Sequence, residues 1–113
     1  MSEKSYENKL KAHLKANGAY FVKYFGCAFT QSGVPDILAC VGGHFVAIEV
    51  KDTKGRPSPL QLANLRSIDR AGGVALLAYP KDFEFVKSII CALNDNRPIN
   101  VLYKPFLDRL QKF

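Results

Sequence analysis

At 113 residues, 48% of them hydrophobic and 23% charged, the chain is long enough to close one core around a small sheet. No apolar run approaches the roughly 20 residues that a bilayer-crossing helix needs, so no membrane partner is expected. With 16 Lys and Arg against 10 Asp and Glu, the formal net charge is +6, which favours a polyanionic partner, nucleic acid ahead of an anionic membrane surface.

The opening residues, MSEKSYENKLK, contain no apolar h-region. A signal peptide is therefore not expected, and the expected location is the cytoplasm, that of the host if the chain is virus- or phage-encoded. Cys27, Cys40 and Cys91 are odd in number and lack close pairing, which fits free thiols better than a disulfide framework. Cys27, Cys40 and His44 do not have the spacing of a zinc site.

Residues 3–17 predict an amphipathic helix, with Tyr6, Leu10, His13 and Leu14 on one face and Lys4, Lys11 and Lys15 on another. Asn17-Gly18 is a suitable stop. Ala19 to Phe25 reads as a strand, followed by a loop with Gly26, Ser32, Gly33 and Pro35. Two apolar runs then flank Gly42-Gly43, a hairpin signal because both residues tolerate the positive φ of primed turns. A two-residue turn pairs Val41 with His44, Ile37 with Ile48, and Asp36 with Glu49. The runs are apolar at nearly every position, so the hairpin is expected to be covered on both faces.

Ser58-Pro59-Leu60-Gln61 carries the marks of a helix start: Ser at the N-cap, Pro at the first helical position, Gln at the third. Gly72-Gly73 ends that helix, and Val74 to Tyr79 reads as a fourth strand. Asp82 is placed to cap a third helix carrying Phe83, Val86, Ile89, Ile90 and Leu93. A turn-rich break at Asn94 to Pro98 and a last helix from Pro105 to Lys112 complete the chain. The class is α/β: an αβββαβ core with a mixed four-stranded sheet flanked by helices. The expected organisation is one domain over 1–113, with a core at about 3–93 and a helical C-terminal extension at about 94–113.

The chemistry gathers at the open end of the hairpin. Opposed carboxylates on Asp36 and Glu49 have Cβ atoms ~5 Å apart and repel unless a proton or cation intervenes. Lys51, two residues past Glu49, leaves the same strand face. Two acids and an ammonium suit phosphodiester hydrolysis with a hard cation such as Mg²⁺. The alternative is a salt-bridge cluster at a strand end.

Ser32-Gly33-Val34-Pro35-Asp36 followed by Ile48-Glu49-Val50-Lys51 resembles the P-D…(D/E)-x-K signature of restriction-endonuclease-like nucleases. The run from Gly33 to Gly73, with its Gln61-bearing helix, is similar to the virus-type replication-repair nuclease (VRR-Nuc) domain of that superfamily. The resemblance implies that Asp36, Glu49 and the Val50 carbonyl bind Mg²⁺ or Mn²⁺ and that Lys51 is catalytic. It implies no nucleotide cofactor.

The resemblance also offers Glu7, on the first helix, as a further catalytic and metal-site acid; the competing reading is an i,i+4 ion pair with Lys11. Gln61 is read either as an active-site residue or as a capping-box residue. Lys54 and Arg56 are candidates for phosphate contacts beside the site, with Lys23, Lys81, Arg66 and Arg70 on a wider DNA track. The function so implied is a metal-dependent, structure-selective DNA endonuclease acting on branched DNA such as four-way (Holliday) junctions, as a homodimer. The alternatives are a flap or nicking nuclease subunit of a replication complex, and a catalytically idle DNA-binding module. Val101, Leu102, Phe106 and Leu110 are placed either on a dimer surface or over the core.

Overall fold

The computed structural model describes residues 2–26 and 32–113. The elements, in order, are α1 (Glu3–Ala16), β1 (Tyr20–Lys23), β2 (Ile37–Val41), β3 (His44–Val50), α2 (Pro59–Arg70), β4 (Val74–Ala78), α3 (Phe83–Asn94) and α4 (Asn100–Lys112), with a 3-10 turn at Pro80–Asp82. The sheet order is β1-β2-β3-β4. The first two pairings are antiparallel, and β3–β4 is parallel, with α2 as the crossover. This is the α/β arrangement expected from the sequence, mixed sheet included. Cys27, a candidate in the zinc reading, lies outside the described residues.

The hairpin register is the one the turn dictates. Gly42 and Gly43 both have positive φ, +55° and +86°, and Val41 pairs with His44 and Ile37 with Ile48. One face of the sheet is covered by α1, α3 and α4 through Tyr6, Leu10, Leu14, Val86, Ile89, Ile90, Tyr103 and Phe106. On the other face a smaller cluster joins Leu62 and Leu65 of α2 to Ala75, Leu77 and Leu110. That cluster reaches β3 and β4 but stops short of β1 and β2. The expectation of two covered faces therefore holds along Val46–Val50 of β3, whereas in β2 only Ile37, Ala39 and Val41 are buried and Cys40 is exposed.

Two boundary expectations change. The last helix starts at Asn100, not at Pro105, which lies inside it. Proline at the first helical position is the commoner placement. Here the carbonyl that its missing N–H would have served belongs to Val101, 87% exposed and open to water. Asp82 does precede α3, but its side chain makes no cap bond; it accepts from the Tyr79 N–H and from Arg109 of α4. The C-terminal apolar residues Phe106 and Leu110 are buried against the sheet, and Leu102 packs beside them. They cover the core. No described helix is long and apolar enough to cross a membrane.

Candidate active site

Asp36 stands one residue beyond the β2–β3 ladder, held by its place in the chain and by its own carboxylate. Its carbonyl accepts from the Tyr24 N–H at 2.8 Å, and its Oδ2 accepts from the Val50 N–H at 2.8 Å. The turn before it depends on Gly33, whose φ is +77°. A Cβ there would lie 2.9 Å from the Leu60 backbone carbon and from Leu60 Cγ, at the start of α2. The S-G-x-P-D segment thus fits because the chain is at once left-handed and pressed against a helix.

Glu49 is only 2% exposed, and its two oxygens differ. Oε2 accepts from Gln61 Nε2 at 3.1 Å and lies 3.5 Å from Lys51 Nζ. Oε1 is buried with no hydrogen-bond partner among the described residues. Burial, and then the nearby Asp36 carboxylate, push the Glu49 carboxyl up to about 7, against the opposing pull of Lys51. Asp36 is near enough to share a proton with Glu49, but as carboxylates neither can donate to the other. A buried carboxylate oxygen with nothing bound to it, beside a second acid, is what a divalent cation relieves. The residues present fit one.

The fit is to a particular kind of cation. Among the described residues no group of three or more His, Cys, Asp or Glu side chains comes together as a cage. Two carboxylates offer oxygen donors, the type that hard divalent cations take. Lys51 is fixed by its own backbone N–H, which donates to the Ala78 carbonyl at 3.0 Å and carries the parallel pairing one residue past the strand.

Gln61 has the capping-box role and also reaches Glu49. Its Oε1 accepts from the Ser58 N–H at 2.9 Å, completing a capping box with the Ser58 hydroxyl, while its Nε2 holds Glu49. Glu7 is 9% exposed and sits between two lysines: Oε2 is 3.0 Å from Lys11 Nζ and Oε1 is 2.7 Å from Lys23 Nζ. The i,i+4 pair is therefore present, and Glu7 is also joined to the site, because Lys23 Nζ lies 3.2 Å from Asp36 Oδ1.

Of the basic residues, Lys54 and Arg56 are exposed on the loop after Lys51, and Arg56 rests 5.7 Å from the Phe113 ring. Lys81 and Arg70 are exposed. Arg66 donates to the Leu110 and Phe113 carbonyls, closing the end of α4. Lys23, expected on a DNA track, points its ammonium at the two acids. Sequence reasoning missed this because a strand-end lysine declares its face but not its reach. Glu3, one turn before Glu7, is exposed, and its carboxyl is raised by partial desolvation and then by Asp36.

A family model described as archaeal Holliday junction resolvase (Hjc) matches residues 2–101, from the start of α1 to the first turn of α4. Searches of curated proteins and of solved structures returned no match. The matched span contains Asp36, Glu49 and Lys51 in the P-D…E-x-K order, and the family lies in the same PD-(D/E)xK superfamily as the VRR-Nuc domain that the motif order resembles. The chain belongs to the Hjc family of Holliday junction resolvases, metal-dependent endonucleases selective for DNA structure.

Proposed function

We propose that Asp36, Glu49 and the Val50 carbonyl hold one divalent cation, Mg²⁺ or Mn²⁺, at the scissile phosphate of a four-way junction. The observation that carries this reading is the buried, partnerless Glu49 Oε1 beside Asp36. When bound, such a cation polarises a phosphoryl oxygen and acidifies a water. The Val50 N–H fixes the orientation of Asp36. Gln61 and Lys51 hold Glu49 Oε2, which leaves Oε1 for the cation. Lys51 places a positive charge where charge builds up on the phosphoryl group. Lys54 and Arg56, exposed one loop away, contact flanking phosphates of the branched DNA. The motif order shared with VRR-Nuc domains reflects this common placement of catalytic groups.

We read the chain as one nuclease domain, with a C-terminal helical segment at 94–113 that the family model covers as far as residue 101, and as a homodimer in action. One such site cuts one strand, and symmetric resolution calls for two sites about a two-fold axis. With Phe106 and Leu110 in the core, the apolar surface for that contact is the uncovered face of β1 and β2, where Tyr20 (75% exposed), Val22 and Cys40 lie beside Phe45 of β3. An idle DNA-binding module has no use for two repelling acids in a basic protein.

The test is cleavage of a four-way junction, a flap, a linear duplex and a single strand, with Mg²⁺ and with EDTA, alongside light scattering. Junction cleavage by a dimer, lost in EDTA, is expected. Metal-dependent preference for the flap would move the substrate assignment to the flap nuclease reading. A monomer that cuts linear duplex as fast as junctions would remove the dimer and its symmetric action.

A further inference from the structure

Lys23 ends β1 with its ammonium between two acids from different elements, 2.7 Å from Glu7 Oε1 and 3.2 Å from Asp36 Oδ1. Both oxygens of Asp36 are consequently engaged, Oδ2 by the Val50 N–H and Oδ1 by Lys23. A cation on Oδ1 would stand directly beside the Lys23 ammonium, and one on Oδ2 beside the Val50 N–H. The Val50 donor is part of a strand held between two neighbours and cannot leave. Lys23 can, having a flexible side chain with three donors.

We propose that Lys23 is the internal counter-cation of the metal-free site, and that it gives up Asp36 while keeping Glu7 when a divalent cation binds. This rests on the reading of Asp36 as a metal ligand. Three observations support it. The Glu7 contact is the shorter of the two, so Lys23 retains its better partner after the exchange. There is space on the side away from Asp36: a cleft of about 390 Å³ is lined by Glu3, Lys4, Glu7, Lys11, Lys23 and Phe25, and Asp36 is not among its walls. The charges also favour it. Lys11, Lys23 and Lys51 already stand against Glu7, Asp36 and Glu49. A divalent cation at Asp36 adds two positive charges beside an ammonium already in place, and the repulsion falls as that ammonium withdraws. Glu7 is then the group on which Lys23 is parked, a positioning residue rather than a ligand.

The experiment is calorimetric titration of Mn²⁺ into the metal-free full chain, without DNA, at fixed pH and salt. Wild type, Lys23→Met, Lys23→Gln, Lys23→Arg and Asp36→Asn are compared, each with its metal-free melting temperature. Lys23→Met and Lys23→Gln are expected to bind Mn²⁺ at least about threefold more tightly than wild type, through loss of a competing charge, while melting at a lower temperature without metal. Lys23→Arg should keep wild-type affinity. A purely structural lysine would weaken both properties together, so equal or weaker Mn²⁺ binding by the Met and Gln variants overturns the proposal. The Gln variant preserves polarity should the Met variant fold poorly. Wild-type affinity in Asp36→Asn, or no Mn²⁺ binding by wild type, instead overturns the ligand reading and the proposal with it.

Discussion

Two acidic side chains are buried at β-strand ends and their turns, and the sequence treats them oppositely. Asp82, 6% exposed, has every demand met: Arg109 grips it with both terminal nitrogens at 2.7 and 3.1 Å, and the Tyr79 N–H donates at 2.8 Å. Arg109 also donates to the Leu77 carbonyl and lies over the Tyr79 and Phe106 rings. Glu49, 2% exposed, has one oxygen satisfied and one with no partner, next to another acid. A carboxylate that serves architecture is closed off by a bidentate arginine. Glu49, the acid proposed to serve chemistry, is kept under electrostatic tension, which the proposed cation would relieve.

Substitutions should separate the two. Glu49→Gln and Asp36→Asn are each expected to lower junction cleavage by at least about a thousandfold, some 4 kcal/mol of barrier. The metal-free fold should hold, and Glu49→Gln should melt no lower than wild type, since a buried acid beside the Asp36 carboxylate is replaced by a neutral amide. Substantial residual turnover in either variant would sink the contrast at its functional pole. Asp82→Ala should do the reverse. It strands Arg109 and is expected to lose roughly 3 kcal/mol of stability in urea unfolding, with the cleavage rate per folded molecule within about twofold of wild type. Neutral stability in that variant would mean that the Arg109 fork contributes little.

The pH dependence sharpens the comparison further. Because the folded carboxyl of Glu49 is raised from its ordinary 4.5 to about 7, the folded chain holds a proton that the unfolded chain has released. The metal-free protein should therefore lose stability as pH rises from about 4.5 to about 7, by at most roughly 3–4 kcal/mol from this group. Glu49→Gln should flatten that slope, and Mg²⁺ should oppose it, because the cation competes with the proton and binds better at the upper end. Thermal melts across this range, with and without Mg²⁺, read both effects. A wild-type slope that persists in Glu49→Gln would assign the titration elsewhere.

Much of the site was legible because short-range chemistry set it. Gly42-Gly43 fixes the hairpin register, the register sets Asp36 beside Glu49, and period-two alternation puts Lys51 on the same face. Gln61 was legible as two competing assignments because amide oxygen and amide nitrogen can serve different partners. What was not legible involves reach or coverage. The inward turn of Lys23 depends on where α1 lays Glu7, and the Asp82–Arg109 fork joins residues 27 apart. The uncovered face of β2 follows from where α2 crosses the sheet. Pro105 misled because its local preference for a helix start is overridden by the packing of Tyr103, Phe106 and Leu110.

The Gly42-Gly43 turn also sets an order of assembly. A two-residue hairpin closes in about 1–10 μs and needs nothing beyond the strands themselves. Asp36 and Glu49 meet early, while still hydrated, where two charges cost each other ~1 kcal/mol or less. Their repulsion grows only when α2 lays Gln61 across Glu49 and the sheet loses its water. If the helices dock after the barrier is crossed, the tension belongs to that docking and not to the barrier. A cation bound between the acids is accordingly expected to lengthen the lifetime of the folded state, slowing unfolding while leaving the folding rate nearly unchanged.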